Sequence, residues 1–251
     1  MPYNSSKWAL HKFYSRSSGL SRYLPPTAVL SRKTLSAFLR RYSSVYIKPD
    51  AEHTGTGIIR AWKKNGRYSF VKVKGKKRES SSVEGLYKKI RKSNGKGRHI
   101  IQKTIPLAKV NGRRFDIRVM MMRNATGSWE YAAMLAKVAG KGSIISNVRR
   151  GGGYTLPVAA ALAPSLSEAK TAEVKRRLVQ LGYQISRYFD RFKRRSELGI
   201  DFAVDKTGRI YLIEVNHEVP SHVLFLKLKD KSHFHNIRRL ARAYKKRKKG
   251  R

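Results

Sequence analysis

The sequence has no cysteine, so neither disulfides nor thiolate metal sites are available, and thiol usage says nothing about redox compartment. It also lacks any run of about 18 apolar residues that would cross a bilayer. The opening MPYNSSKWAL has no charged segment leading into an apolar one, so no secretory leader is read there. From these absences we expect a soluble chain, kept in the cytoplasm and not inserted in a membrane. Acid is scarce, with 15 Asp and Glu against 57 Lys and Arg and a formal charge of +42. Such a surface attracts polyanions, less strongly as salt rises, but charge alone does not choose between nucleic acid, lipid, acidic polymer and nucleotide.

What is present suffices for a packed core: 251 residues, 40% of them hydrophobic, suit one large domain or two interlocked lobes. Residues 7–24 space their apolar side chains as a short helix that ends near Gly19, and Ser31 to Arg41 reads as a second. Val45-Tyr46-Ile47 is a short strand ending at Lys48-Pro49, and the polar loop AEHTGTG follows it. Asn65-Gly66 predicts a hairpin between Ile58–Trp62 and Tyr68–Lys74. Ser81 to Lys92 is a predicted helix. His99–Gln102, Phe115–Met122 and Trp129–Val138 read as strands, the last two as antiparallel partners. A capping box from Ser165 to Glu168 opens the longest predicted helix, carried by Val174, Leu178, Leu181, Ile185, Phe189 and Phe192. Strands Ile200–Val204 and Ile210–Val215 follow, joined by a turn at Asp205 to Gly208. We divide the chain into N-terminal helices with a small, glycine-loop lobe (1–98), a second lobe (99–230) and a basic tail (231–251).

Because acids are rare, their clustering is informative. An even spread of the 15 would place about one in 18 residues, yet 201–218 holds Asp201, Asp205, Glu214 and Glu218. Glu214 lies in Leu212-Ile213-Glu214-Val215-Asn216, otherwise a buried strand, where a lone carboxylate is expensive unless paired or metal-bound. Alternation puts Glu214 and Asn216 on one face, and a short hairpin loop puts Asp201 opposite Glu214. Three oxygen-bearing side chains without Cys or a nearby His pair suit Mg²⁺, although a salt bridge to an arginine would also explain Glu214. Asp205, beside Gly208, reads as a turn residue. Lys48 is fixed by the strand before it and Pro49 after it, with Gly55 and Gly57 close behind; glycines admit backbone N–H groups to a phosphate, and a lysine adds a point charge. Arg118 shares a face of an apolar strand with Asp116, so its anion is either Asp116 or a phosphate.

Taken in order, Lys48-Pro49 with HTGTGI, then IIQKTI, FDIRV, SNVRRGG, ELGIDFAVD and LIEVN, resemble the ATP-grasp superfamily. Within it the chain is most similar to the YheC/YheD endospore coat-associated branch, and more distantly to the ribosomal-protein glutamate ligases. The resemblance spans roughly Lys7 to Pro220. It implies an α+β fold of two lobes sandwiching a nucleotide, without the usual N-terminal domain ahead of the ATP-grasp core. It implies ATP and Mg²⁺ as cofactors. Lys7 and Lys48 resemble the phosphate lysines; Gln102, Lys103 and Ile105 match the adenine hinge; Arg118 and Asn147 match positions near the transferred phosphate; and Asp201, Glu214 and Asn216 match the metal ligands. Arg118 and Lys48 would be the catalytic pair. The implied reaction is carboxylate–amine ligation through an acyl phosphate, on an acidic small-molecule or polymer substrate. Two departures stand out: Asn216 runs into His217-Glu218-Val219-Pro220-Ser221 instead of a Pro-Gly pair, and Lys137 occupies a position where arginine is common. The charge supports a second reading, a catalytically reduced scaffold that holds nucleic acid or an anionic coat polymer, with spore-coat components as partners.

Overall fold

Asn65 and Gly66 take φ values of 48° and 74°, the left-handed pair of a two-residue hairpin turn, and they close Ile59–Lys64 (β3) onto Arg67–Lys72 (β4). This hairpin belongs to the first of two compact units in the computed structural model, which describes residues 6–51, 56–73, 75–95, 97–146, 148 and 152–249, with the side chains of 248 and 249 left out. One unit comprises Met1–Ile105 and Gly140–Gly152, the other Pro106–Ala139 and Gly153–Arg251.

The first unit is a six-stranded sheet in which Thr27–Val29 (β1), His99–Lys103 (β6), Ser44–Pro49 (β2), β3, β4 and Arg78–Ser80 (β5) lie side by side. Helices Arg32–Arg41 (α3) and Val83–Asn94 (α4) bring Leu35, Leu39, Leu86 and Ile90 into one cluster with Val45, Ile47, Ile59 and Phe70. A reciprocal capping box starts α3: Ser31 Oγ accepts from the Thr34 backbone at 3.1 Å, and Thr34 Oγ1 accepts from the Ser31 backbone at 2.8 Å. The N-terminal helical region is two short pieces, Lys7–Ser15 (α1) and Ser18–Ser21 (α2), so the helix expected over 7–24 breaks before Gly19 is reached. Asp50, after β2, anchors the start of α1. Its Oδ1 accepts from the Trp8 backbone at 2.7 Å and its carbonyl from the Lys7 backbone at 3.0 Å, while Arg98 Nε donates to Oδ2 at 2.5 Å.

The second unit's sheet runs Tyr154–Leu156 (β10), Trp129–Val138 (β9), Arg113–Arg123 (β8), Glu197–Val204 (β11), Ile210–Asn216 (β12), with Lys109–Val110 (β7) on β8. Val158–Leu162 (α5) precedes the long helix Glu168–Phe189 (α6), whose cap is Ser167 and not Ser165; the Ser167 side chain accepts from the Lys170 backbone. All six residues read as its inward stripe are buried, Phe192 just beyond the last turn. Gly182 lets α6 close on odd-numbered β8 residues, since a Cβ there would stand 2.7 Å from Met121 Sδ. The even-numbered face, Met120 and Met122, is covered by the short helix His222–Lys227 and by Ser232–Lys249 (α7), through Phe225, Leu228, Ile237 and Leu240.

β12 carries a β-bulge. Asp201 faces Glu214, but Phe202 faces Leu212, so Ile213 is an extra residue. Strict alternation would put Leu212 and Glu214 on the same side. The bulge lets Ile210 and Leu212 be buried with the core while Glu214 and Asn216 turn to the other face.

Candidate functional site

Two groups of the residues picked from sequence come together, one in each unit. In the first, Lys48 on β2 donates through Nζ to Gln102 Oε1 on β6 at 2.7 Å, and Gln102 Nε2 donates to Thr27 Oγ1 at 3.0 Å. Alternation explains the meeting: Val45 and Ile47 point into the core, so Tyr46 and Lys48 take the opposite face, where Tyr46 stands across from Gln102. Lys103 lies with Nζ 5.3 Å from the Tyr42 ring centre, and Ile105 is buried. Gly57 has φ 76°, its carbonyl accepts from Asn94 Nδ2, and a Cβ there would stand 2.8 Å from Pro49 Cγ. Glycine is thus required at this position on two grounds. Lys7 begins α1, its backbone tied to Asp50. Gly55 and Asn147 lie outside the described residues.

In the second unit, the antiparallel register sets Glu214, Asp201 and Arg118 opposite one another on three successive strands, β12, β11 and β8. Residues directly opposite in such sheets share a face. Asp116 stands opposite Lys137 on β9, and Asn216 opposite Gly199, so all seven belong to one side of the sheet. Asp201 Oδ1 accepts from Arg118 Nε at 2.6 Å and contacts Lys137 Nζ at 3.0 Å; Oδ2 accepts from Arg118 Nη2 at 2.9 Å and from Asn216 Nδ2 at 3.2 Å. A carboxylate offers about four lone-pair positions, and here four donors occupy them. Lys137 also reaches Asp116 Oδ2 at 3.2 Å. The anion that Arg118 takes is therefore Asp201, from a strand 83 residues on, rather than Asp116.

Arg118, Lys137 and Asp201 are all buried, so the electrostatics are strong. Burial pushes the Asp201 carboxyl up, but Arg118 and then Lys137 outweigh it and hold it well below the ordinary carboxylate range. Burial likewise pushes the Arg118 guanidinium down, and Asp201, with Asp116 and Glu214 behind it, raises it instead. Asp116, Asp201 and Glu214 thus gather around Arg118 and Lys137 on one face, in a protein whose formal charge is +42. Gly199 makes room for the pair, since a Cβ on it would stand 2.9 Å from Arg118 Nη1 and 2.7 Å from Pro220 Cβ.

Among the described residues no group of three or more His, Cys, Asp or Glu that could hold a metal ion is present. Glu214 and the Asn216 Oδ1 are hard oxygen donors on one face, of the kind Mg²⁺ takes while completing its sphere with water and phosphate. Asp201 could join them only by releasing one of its four donors. Asp205, by contrast, takes the turn role read for it: its Oδ1 accepts from the Thr207 and Arg209 backbones at 2.9 and 3.1 Å. Sequence reading passed over Lys137 and Gly199 as site residues. Lys137 had a usable signal, a lone cation within the apolar strand AMLAKVA, the same pattern that singled out Arg118. Gly199 had none, because its role depends on a neighbour in another strand.

Comparison with known proteins agrees with this architecture. The D-alanyl-alanine synthetase A of Vibrio cholerae superposes with a TM-score of 0.55 at 16% identity, over 98% of this chain and 65% of that one. N5-carboxyaminoimidazole ribonucleotide synthetase from Thermotoga maritima does so with a TM-score of 0.51 at 12% identity, over 94% of this chain and 48% of that one. At such identities the likeness establishes the fold alone, and the fold is ATP-grasp. The endospore coat-associated protein YheD of Bacillus subtilis is 24% identical over 220 residues, which are 84% of this chain and 47% of YheD. YheC from the same organism is 22% identical over 214 residues, 84% of this chain and 58% of YheC. The chain thus spans about half the length of these relatives. The model of the YheC/D-like ATP-grasp family matches residues 2–247, and the chain belongs to that family.

Proposed function

We propose that this chain binds ATP with Mg²⁺ and acts as an ATP-dependent carboxylate–amine ligase. The observation that carries the reading is the charged row Glu214, Asp201, Arg118 on one face of the second sheet, its Asp201 and Arg118 buried together with Lys137 and its Glu214 and Asn216 partly exposed at the edge. A buried network of this kind is a poor source of stability, since apolar residues of similar volume generally do as well. Its value lies in orienting charge.

Each residue then has a definite task. Asp201 fixes the Arg118 fork through Nε and Nη2, and Nη1, which makes no hydrogen bond among the described residues, is the donor that would meet a phosphoryl oxygen. Glu214 and Asn216 would hold the magnesium ion, whose chemistry when bound is to neutralise charge on the phosphates during transfer. Lys137 keeps Asp116 and Asp201 from repelling one another. In the first unit, Lys48 and Lys7 are proposed for the phosphates, Gly55 and Gly57 for close backbone approach, Gln102, Lys103 and Ile105 for the adenine edge, and Asn147 for the transferred group. The substrate is proposed to be an acidic small molecule or polymer, and the names of the two Bacillus subtilis relatives motivate a link to the endospore coat.

Thermal melting with ATP and Mg²⁺, alongside ADP release with candidate acids, tests this. Wild type should melt higher with ATP and Mg²⁺ together, by the linkage of ligand binding to folding, whereas Lys48→Ala and Glu214→Ala should not. Equal stabilisation of Glu214→Ala would remove the proposed metal site. ATP binding without ADP release for any acid and amine pair would leave a nucleotide-binding protein and defeat the ligase.

A further inference from the structure

The stretch 232–249, which by composition reads as a charged tail, is the helix α7 seated on the second unit's sheet. Ile237, Leu240 and Tyr244 are buried along one side, with Phe234 and Ala241 packed against the same cluster. Its C-terminal half also approaches the β8–β9 turn, where the Arg247 guanidinium lies over Gly127. Anchored this way, α7 presents a fixed outer surface.

That surface is purely cationic. Arg238, Arg242, Lys245 and Lys246 are all exposed and recur at steps of three and four residues along one side. With about 1.5 Å of rise per residue, Arg238, Arg242 and Lys246 form a row with roughly 6 Å between neighbours. None of the four has a carboxylate within ion-pair distance among the described residues; Arg239, by contrast, is drawn aside to Glu130 at 3.3 Å and Asn236 at 2.8 Å. Cations in a helix's last turn favour its dipole, which accounts for Lys245 and Lys246 but not for Arg238 or Arg242.

We infer that this side of α7 is a docking surface for the phosphate backbone of nucleic acid, contacted without reading the bases. Three physical points select this partner. The apolar stripe of α7 is spent on the protein core, so the helix cannot lie in a bilayer interface as an amphipathic anchor would. No helix among the described residues is long and apolar enough to cross a membrane either. The outer row offers no apolar side chain with which to order an acidic peptide. Duplex nucleic acid carries one charge per about 1.7 Å of axis, roughly twice what an extended peptide can present at about 3.3 Å per residue, and it binds such surfaces by counterion release. The surface is independent of the ATP site: its cations are none of those proposed for nucleotide or metal.

The test uses the full chain and a duplex DNA of arbitrary sequence, titrated at several salt concentrations. Wild type should bind with an affinity that falls steeply with salt. The variant Arg238→Gln/Arg242→Gln/Lys245→Gln/Lys246→Gln should bind at least about tenfold more weakly, with a log–log salt slope shallower by about 3.6. The milder Arg238→Gln/Arg242→Gln variant should show about half that change in slope, which keeps the test valid if the fourfold variant melts early. The decisive control removes as much charge from exposed positions elsewhere, Lys33→Gln/Arg40→Gln/Lys64→Gln/Lys175→Gln. If that control weakens binding equally, the whole +42 charge and not α7 is responsible, and the inference fails. It fails equally if polyglutamate of matched charge competes as well as DNA, or if anionic vesicles are bound through the same four residues.

Discussion

Each unit buries an aspartate against an arginine, but the two pairs are built differently. In the first, Asp50 is 3% exposed while its partner Arg98 reaches in from solvent, 51% exposed, and the same carboxylate caps the start of α1. In the second, Arg118 and Asp201 are 8% and 6% exposed, and a second cation, Lys137, joins them. Asp50 is an anchor: it keeps a helix terminus in place, and a half-solvated arginine offsets its charge cheaply. The Arg118 network anchors no helix. It removes charges of both signs from water and aims them along one face of a sheet, an arrangement that stability alone does not require.

The largest effect is expected at Arg118. Arg118→Met takes from the buried Asp201 its bidentate partner and leaves Lys137 as the cation beside it, and chemical denaturation should show a loss of about 3–5 kcal/mol. A change under about 1 kcal/mol would mean that the network is far better solvated than its burial implies. A graded effect of pH sharpens the same point. The Asp201 carboxyl is held below its ordinary value of 3.8 when folded, so its contribution is present above that value and is lost as the pH falls through the lower folded-state value. The stability gap between wild type and Asp201→Asn should therefore stay constant near neutrality and close on acidification past 3.8; a gap that widened in acid would reverse the sign assigned to the pair. The smallest effect is expected at the other pair, where Arg98→Met should cost about 0–1 kcal/mol, as for a half-exposed ion pair.

Local chemistry made much of this legible. The turn at Asn65-Gly66 and the inward stripe of α6 follow from local spacing, whereas the facing of Asp201 and Glu214, expected from a short hairpin loop, is reached through the extra residue Ile213. The partner of Arg118 does not follow from local spacing. Asp116 is two residues away and looked sufficient, but the choice of Asp201 depends on how β8 pairs with β11, a long-range register that no local pattern encodes. β1 follows Pro25-Pro26, which favour only an extended chain; with three residues it becomes a strand because β6 is there to pair with it. In α7, the density of Lys and Arg suggests a basic helix at the end of the chain, while the few apolar residues of its buried stripe are hard to read as core among them.

The extra residue in β12 gives that segment an unusual kind of fragility. Substituting Ile213 changes one side chain, whereas deleting it would rotate everything between it and the hairpin by half a period, so that Leu212 and Ile210 would face outward or Glu214 and Asn216 inward. At this point in the chain the number of residues is constrained more tightly than their identity. A shortened strand could keep every ligand-bearing letter of the sequence and still lose the site.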